Sequence, residues 1–425
     1  MSIVSMAEWR KVPIGPDAAR WSTRTQCVTV LIVVDTVTSG QRLLEVARLF
    51  EADFRVQVVF TSPVGGVFDN GVGEFLAGIG ALVVPWRQAV DFDFGLAVAA
   101  GHEGIHELHA PVVLLPHGAG FNKRVSAGQR GRVVAQREVY GLGAQWLVRD
   151  GALIPSALVL AHEEERARLA LGCPQALSCA VVVGDPCYDR IEVSRPRRYA
   201  YRDALGVGPG RRLVTVASTW GPSSLLGRVP DLPGRLVAQL PPDEYQVIVL
   251  AHPNAWFGHG RWQITAWLTG ALREGLGLVP PEADWRAVLA ASDVVIGDHG
   301  SVSLYATAAG APVAFAGQLS ADVDRGSPLG ELAAFAPRLS SRRPFAAQLE
   351  RLGPDFRRDD YARVAGRITS KPGRFAPNMR RLLYRHLGLD EPAVASAAEP
   401  APLPTLIRYG SASSDSACSR IGGAR

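Results

Sequence analysis

Two histidines, a pair of hydroxyls and one polar turn are the parts of this sequence best suited to chemistry. Ser292-Asp293-Val294-Val295-Ile296-Gly297-Asp298-His299-Gly300-Ser301-Val302-Ser303 reads as a short buried strand, a tight turn and the first turn of a helix. A strand that stops there and opens a helix leaves backbone N–H groups pointing at one spot, at the positive end of the helix dipole. That spot suits a phosphate, although an ordinary capped βα turn has the same pattern. His117-Gly118 follows the apolar run 112–115, and His252-Pro253-Asn254 follows the run 246–250. A histidine at the carboxyl end of a buried parallel strand points into the crevice where α/β proteins bind ligands. His117 therefore suits a general base, and His252 can donate to a phosphate or stabilise a leaving group. Ser218-Thr219-Trp220 ends the run 213–217 and offers two hydroxyls to a diphosphate. Lys123, one of three lysines in the chain, can meet a phosphate or stay solvated.

Holding these residues requires two sheets. Strands are expected at 28–34, 55–60, 81–84, 94–99, 112–115, 153–160 and 180–183, with helices at 38–50, 73–79 and 163–171. A second alternation has strands at 213–217, 246–250, 276–279, 294–296 and 312–315. Its helices fall at 233–240, 262–273, 285–291 and 302–309, and 359–368 and 378–387 read as closing helices. The expected order is an N-terminal extension (1–26), a Rossmann-like domain (27–192), an Arg-, Pro- and Gly-rich linker (193–210), a second Rossmann-like domain (211–390) and a disordered tail (391–425). The fold class is α/β, with two parallel-sheet domains facing a central cleft. That arrangement puts His117 on one wall and His252, Asp298 and Ser301 on the other.

Composition narrows the class. The 425 residues exceed one typical core and fit two domains. The net charge is +5, but the basic residues come as scattered pairs such as Arg211-Arg212 and Arg380-Arg381, so no nucleic-acid partner is expected. No apolar run approaches the roughly 20 residues of a membrane-spanning helix, and the first 26 residues lack a secretory core. Cys27, Cys173, Cys179, Cys187 and Cys418 are odd in number and form no CxxC, which fits a reduced cytoplasmic protein.

Three other patterns lead elsewhere. His102-Glu103-Gly104-Ile105-His106 is a literal HExxH, but Gly104 and the short segment do not suit a zinc-binding helix. Asp91-Phe92-Asp93 reads as a strand entry. The first strand is followed by Asp35-Thr36-Val37-Thr38-Ser39-Gly40 and not by GxGxxG, which speaks against a dinucleotide site. Gly184-Asp185-Pro186-Cys187-Tyr188-Asp189 reads as a turn shaping the edge between the domains.

Taken in order, these motifs resemble the CDP-glycerol glycerophosphotransferases, teichoic-acid-polymerase-like enzymes of GT-B fold. The counterparts are His117-Gly118 with Lys123, Gly184 to Asp189, Ser218-Thr219-Trp220, His252-Pro253, and Ser292-Asp293 with Gly297 to Val302. The likeness spans roughly residues 110–310. It implies His117 as the base that deprotonates an acceptor hydroxyl, and His252 as a ligand of the donor diphosphate that assists departure of CMP. It also implies donor contacts from Ser218, Thr219, Asp298, His299, Gly300 and Ser301, a phosphate contact from Lys123, and neither metal nor cofactor. The implied partners are a CDP- or UDP-type donor and a hydroxyl acceptor, a cell-envelope polymer or lipid-linked precursor met at the membrane periphery. Because a carboxylate repels phosphate, Asp298 is expected to orient the turn or donor hydroxyls while phosphate sits on N–H groups near Ser301. The sequence departs from the family at His299-Gly300 in place of Tyr-Ser, at Gly221 in place of Arg and at Tyr305 in place of Asp. The same turn also resembles that of UDP-N-acetylglucosamine 2-epimerases, and the departures leave room for a nucleotide-binding protein without activity.

Overall fold

Uninterrupted β-branched and aliphatic runs form the centre of each half of the molecule, because a parallel strand covered by helices is buried on both faces. The computed structural model describes residues 10–15, 18–63, 71–125, 138–352 and 358–410. In the first half the strands are β1 (Val28–Val33), β2 (Val56–Thr61), β3 (Leu96–Ala99), β4 (Val112–Leu114), β5 (Ala157–Leu160) and β6 (Ala180–Val182). In the second they are β7 (Arg212–Ser218), β8 (Tyr245–Ala251), β9 (Gly277–Val279), β10 (Val294–Gly297), β11 (Val313–Ala316) and β12 (Arg338–Leu339). All pairs within the two sheets are parallel. The orders are β2-β1-β3-β4-β5-β6 and β9-β8-β7-β10-β11-β12. Each order reverses once, beside β1 in the first sheet and between β7 and β10 in the second, and ligands of open α/β sheets bind at such points.

Six helices frame the cleft. They are α1 (Val37–Ala47), α2 (Pro186–Ser194), α3 (Pro253–His259), α4 (Trp285–Ala291), α5 (Ser301–Ala308) and α6 (Phe375–Leu387). Helix α1 opens on a Thr36–Ser39 capping box, which fixes its start directly after β1. Helix α2 leaves the first sheet and lies against α4 and α5 of the second half.

Several elements differ from expectation, each for a physical reason. Residues 81–84 form no strand and contribute an isolated bridge between Phe60 and Val83. The expected strand 153–160 is split at Pro155: Ala152–Leu153 pairs antiparallel with Val148–Arg149, and only Ala157–Leu160 joins the sheet. The linker 193–210 contains the helix Arg198–Ala204, anchored by the fully buried Tyr201. Helix α6 belongs to the first core, not to the second domain that precedes it in sequence. Its Phe375, Met379, Leu382 and Leu383 pack among Val30, Leu43, Leu96 and Val113. The chain therefore crosses back over the cleft near its end.

Residues 391–410 of the expected tail are packed against the second domain. Ala401 is buried, its N–H donating to Ser194 Oγ (2.9 Å) and its carbonyl accepting from Tyr201 Oη (2.7 Å). Ile407 and Leu278 exchange both backbone hydrogen bonds, so the tail covers the exposed edge of β9. Residues 411–425, with Cys418, and residues 1–9 and 16–17 of the extension lie outside the described residues. Val12 and Ile14 of that extension pack into the first domain. Among the described residues no helix is long and apolar enough to cross a membrane.

Met379 has no exposed surface. The Met379→Ala variant is expected to lose about 2–4 kcal/mol of stability through transfer and cavity costs. Urea unfolding checks this; a loss below about 0.5 kcal/mol, as for a surface site, would contradict the assignment of α6 to the first core.

Candidate functional site

Strand ends from both sheets meet in a cavity of about 230 Å³ between the domains. The residues singled out from the sequence all line it: His117 and Lys123 on one side, and Ser218, Thr219, His252, Asp298, His299, Gly300 and Ser301 on the other. The walls approach closely at Gly118. A Cβ on Gly118 would lie 2.6 Å from Ser301 Oγ, and the Ala119 N–H donates to that oxygen at 3.3 Å. Glycine at 118 is what lets the His117 loop approach the start of α5 so closely.

Helix geometry orients the two histidines. His252 caps α3, with Pro253 at the first helical position. Its Nδ1 accepts from the Asn254 N–H at 3.1 Å, so Nε2 carries the proton and donates to Thr38 Oγ1 of α1 at 3.3 Å. His117 is exposed toward the cavity but surrounded by protein, and the Ala100 carbonyl just after β3 favours a proton on its ring. Burial holds His252 neutral, down to about 3, helped by the neighbouring His117 and Lys123. Burial also pulls His117 and His299 below the usual histidine range, and Lys123 below the usual lysine range, although Asp298 and Asp322 oppose the last. The lining brings these imidazoles together with the cationic side chains of Arg42, Lys123 and Arg286 and with the single carboxylate of Asp298 among the described residues.

Asp298 does not supply one to the cavity. Its Oδ2 accepts from the Thr219 N–H (2.9 Å), the Thr219 hydroxyl (2.7 Å) and the Leu225 N–H (2.8 Å), and its Oδ1 accepts from the Gly300 N–H (3.0 Å). Ser218 Oγ accepts from the Leu226 N–H at 3.0 Å and donates to the Thr219 carbonyl at 2.9 Å. Thr219 and Asp298 tie the end of β7 to the end of β10, and Ser218 ties the end of β7 to the Leu225–Arg228 turn, while all three line the cavity.

A network of charged and polar groups built on Arg42 and Arg286, which no sequence motif marks, also lines the cavity. Arg42 of α1 donates to Asp185 (2.8 Å), Tyr305 Oη (3.1 Å) and Cys187 Sγ (3.4 Å), and Tyr305 Oη donates to Asp185 (2.8 Å). Arg286 of α4 reaches Cys187 Sγ at 3.4 Å from the other side. Asp185 also caps α2 by accepting from the Tyr188 N–H at 2.8 Å. The turn 184–189 thus does shape the interdomain edge, as expected, and Tyr305 finds its partner there. A second clamp joins the Lys123 loop to the second domain. The Arg124 N–H donates to the Asp322 carbonyl (2.7 Å), the Asp324 N–H to the Asn122 carbonyl (2.9 Å), and Arg124 pairs with Asp324 (2.9 Å).

The HExxH segment is not a helix. Gly104 has a φ of 69°, and a single 3-10 turn follows over Ile105–Glu107. His102 is held near Tyr140 and Trp146 with ring centroids 6.2 and 6.3 Å away, whereas His106 is exposed.

No protein-family model and no curated protein matches the chain. Solved structures do. A variant of the wall teichoic acid polymerase TagF soaked with CDPG for 30 minutes aligns at a TM-score of 0.57, with 12% identity over 85% of this chain and 88% of that one. A second TagF variant aligns at 0.53, with 12% identity over 86% and 90%. Anabaena Alr3699/HepE in complex with UDP-glucose aligns at 0.48, with 14% identity over 85% and 99%. The TagF likeness, with the two facing parallel sheets, establishes a two-domain GT-B fold.

The buried neutral imidazoles make acid stability testable. His252 and His102 have values pushed down to about 3 and about 4 by burial, so between there and about 6.5 the unfolded chain binds protons the folded chain refuses. Their contribution is fully present above about pH 6.5 and is lost as pH falls toward those values. His252→Gln is expected to lower the slope of unfolding free energy against pH by about one proton near pH 5. An unchanged slope in urea titrations at pH 4.5–6.5 would contradict a neutral His252.

Proposed function

We propose that the chain is a GT-B transferase that moves a glycerophosphate-like or sugar group from a CDP- or UDP-type donor to a hydroxyl acceptor. The observation that carries this reading is the convergence of His117 from one domain with His252, Lys123 and the start of α5 on a cavity whose one lining carboxylate among the described residues, Asp298, is already satisfied. Such a site favours an anionic ligand. The resemblance read from the motifs, and the likeness to TagF soaked with CDPG, support a nucleotide diphosphate.

In this reading the donor diphosphate lies against the N-terminus of α5, where the helix dipole favours negative charge. Lys123 adds a positive charge, and the Nε2–H of His252 is available to donate when the ligand displaces Thr38. His117, beside the Ala100 carbonyl, accepts the proton of the acceptor hydroxyl. The acceptor oxygen forms its new bond to the donor phosphorus as the bond to the CMP oxygen breaks; for a sugar donor the new bond forms at the anomeric carbon and the nucleoside diphosphate leaves. The helix terminus and side chains neutralise the departing phosphate, so the reading needs no metal. The acceptor implied by the resemblance is a cell-envelope polymer or lipid-linked precursor, reached from the cytoplasm at the membrane periphery. An epimerase would need further carboxylates in the cavity, and its described lining offers Asp298 alone.

Thermal denaturation against CDP-alcohols, UDP-sugars, CDP and UDP tests the reading. At least one nucleotide diphosphate is expected to raise the melting temperature, and His117→Ala is expected to keep that binding while transfer falls about 10²–10⁴-fold. Absence of stabilisation by every member, or unchanged turnover in His117→Ala, would overturn it.

A further inference from the structure

One carboxylate stands behind the cavity with no assigned task. Asp35 follows β1 at the point where the first sheet reverses its order. Its Oδ1 is buried and has no hydrogen-bond partner among the described residues. Its Oδ2 occupies the space a side chain at residue 101 would fill, since a Cβ on Gly101 would lie 1.9 Å away. Burying a bare carboxylate oxygen is costly unless a charge nearby compensates it. Three adjacent strand ends supply the setting: Asp35 follows β1, Ala100-Gly101 follows β3, and His117 follows β4. The Ala100 carbonyl already favours a proton on the His117 ring.

We propose that Asp35 is a positioning residue for His117, holding a negative charge beside the imidazole so that the ring can take up the acceptor's proton. The proposal rests on the reading of His117 as the base. The charged and titratable groups that face His117 are Asp35, Arg42 on α1 and Lys123 on its own loop. His102 after β3 and His252 after β8 face it as well. Of these, Asp35 is the one carboxylate among the described residues. Arg42 and Lys123 oppose an imidazolium, and burial opposes it further, so a ring left with these neighbours alone would be a poor proton acceptor. Asp35 supplies the opposing charge, and Gly101 is the notch that lets it sit there. The proton moves from the acceptor hydroxyl to the free ring nitrogen as the acceptor oxygen forms its new bond.

The test is Asp35→Asn, with Asp35→Ser as a second neutral variant should the first not fold, and Asp35→Glu as the variant that keeps the charge. Two readouts are used. NMR titration of ring-labelled histidine, with the His117 signal identified by its loss in His117→Ala, needs no substrate. The pH profile of kcat/KM needs the donor found by the binding panel. In the neutral variants His117 is expected to titrate at lower pH than in the parent. The acid limb of the profile moves the same way, and the plateau falls about tenfold or more. Asp35→Glu is expected to keep the limb near its parental position. A His117 titration unchanged in a folded neutral variant overturns the proposal, because a merely structural role for Asp35 would lower stability or rate without moving it. If the titration moves while His117→Ala retains full turnover, the pairing stands and the base assignment of the proposed function fails.

Discussion

Arg42 and Asp185 form an ion pair at 2.8 Å whose side chains are 3% and 0% exposed, and the cleft depends on it. Arg42 lies on the first helix of the first domain, Asp185 at the start of the helix that leaves that domain, and Tyr305, which binds both, on α5 of the second domain. Two charges withdrawn from water are favourable only when well paired and hydrogen-bonded, and losing one partner typically costs about 3–5 kcal/mol. The pair therefore fixes more than stability. It sets α5, whose N-terminus faces the cavity, against α1, whose Thr38 receives the His252 ring. The Lys123 loop is clamped independently to residues 322–324. With both clamps in place, strand ends from two sheets that share no strand face one volume.

That volume is unusual in how its polar groups are divided. Ser218, Thr219 and Asp298 satisfy one another and the surrounding backbone, and so hold the loops. His117, His252 and Lys123 line the same cavity. A preorganised cationic site of this kind costs stability in the empty protein and gains it when an anion binds. The start of α5 and the His252 ring face this volume from one wall, and His117 and Lys123 face it from the other.

The sequence made the strands legible because burial on both faces forces continuous apolar runs, and the cleft residues legible because each follows such a run. His252-Pro253 was readable as a helix start as well, since proline favours the first helical position, yet the short helix Pro253–His259 went unmarked. The return of α6 to the first domain was not legible: an apolar helical face specifies that it is buried, not which core it enters. The ordered tail was hidden by its Ala-, Pro- and Ser-rich composition, since its order rests on a few anchor points such as Ala401 and Ile407. The Arg42–Asp185 pair joins residues 143 positions apart, and nothing local to either marks the other. Asp298 shows the same limit in miniature, because its place in a polar turn does not reveal that Thr219 and Leu225 take up one of its oxygens.

The central claim is that one interdomain cavity holds a nucleotide diphosphate with its phosphates at the start of α5. A crystal structure with bound CDP or UDP tests it most directly. The account predicts the diphosphate within hydrogen-bonding distance of the Ser301 backbone and of Lys123 or His252, with His117 across the cleft and Asp298 still bonded to Thr219. A nucleotide bound elsewhere, or a diphosphate facing away from Ser301, would contradict it.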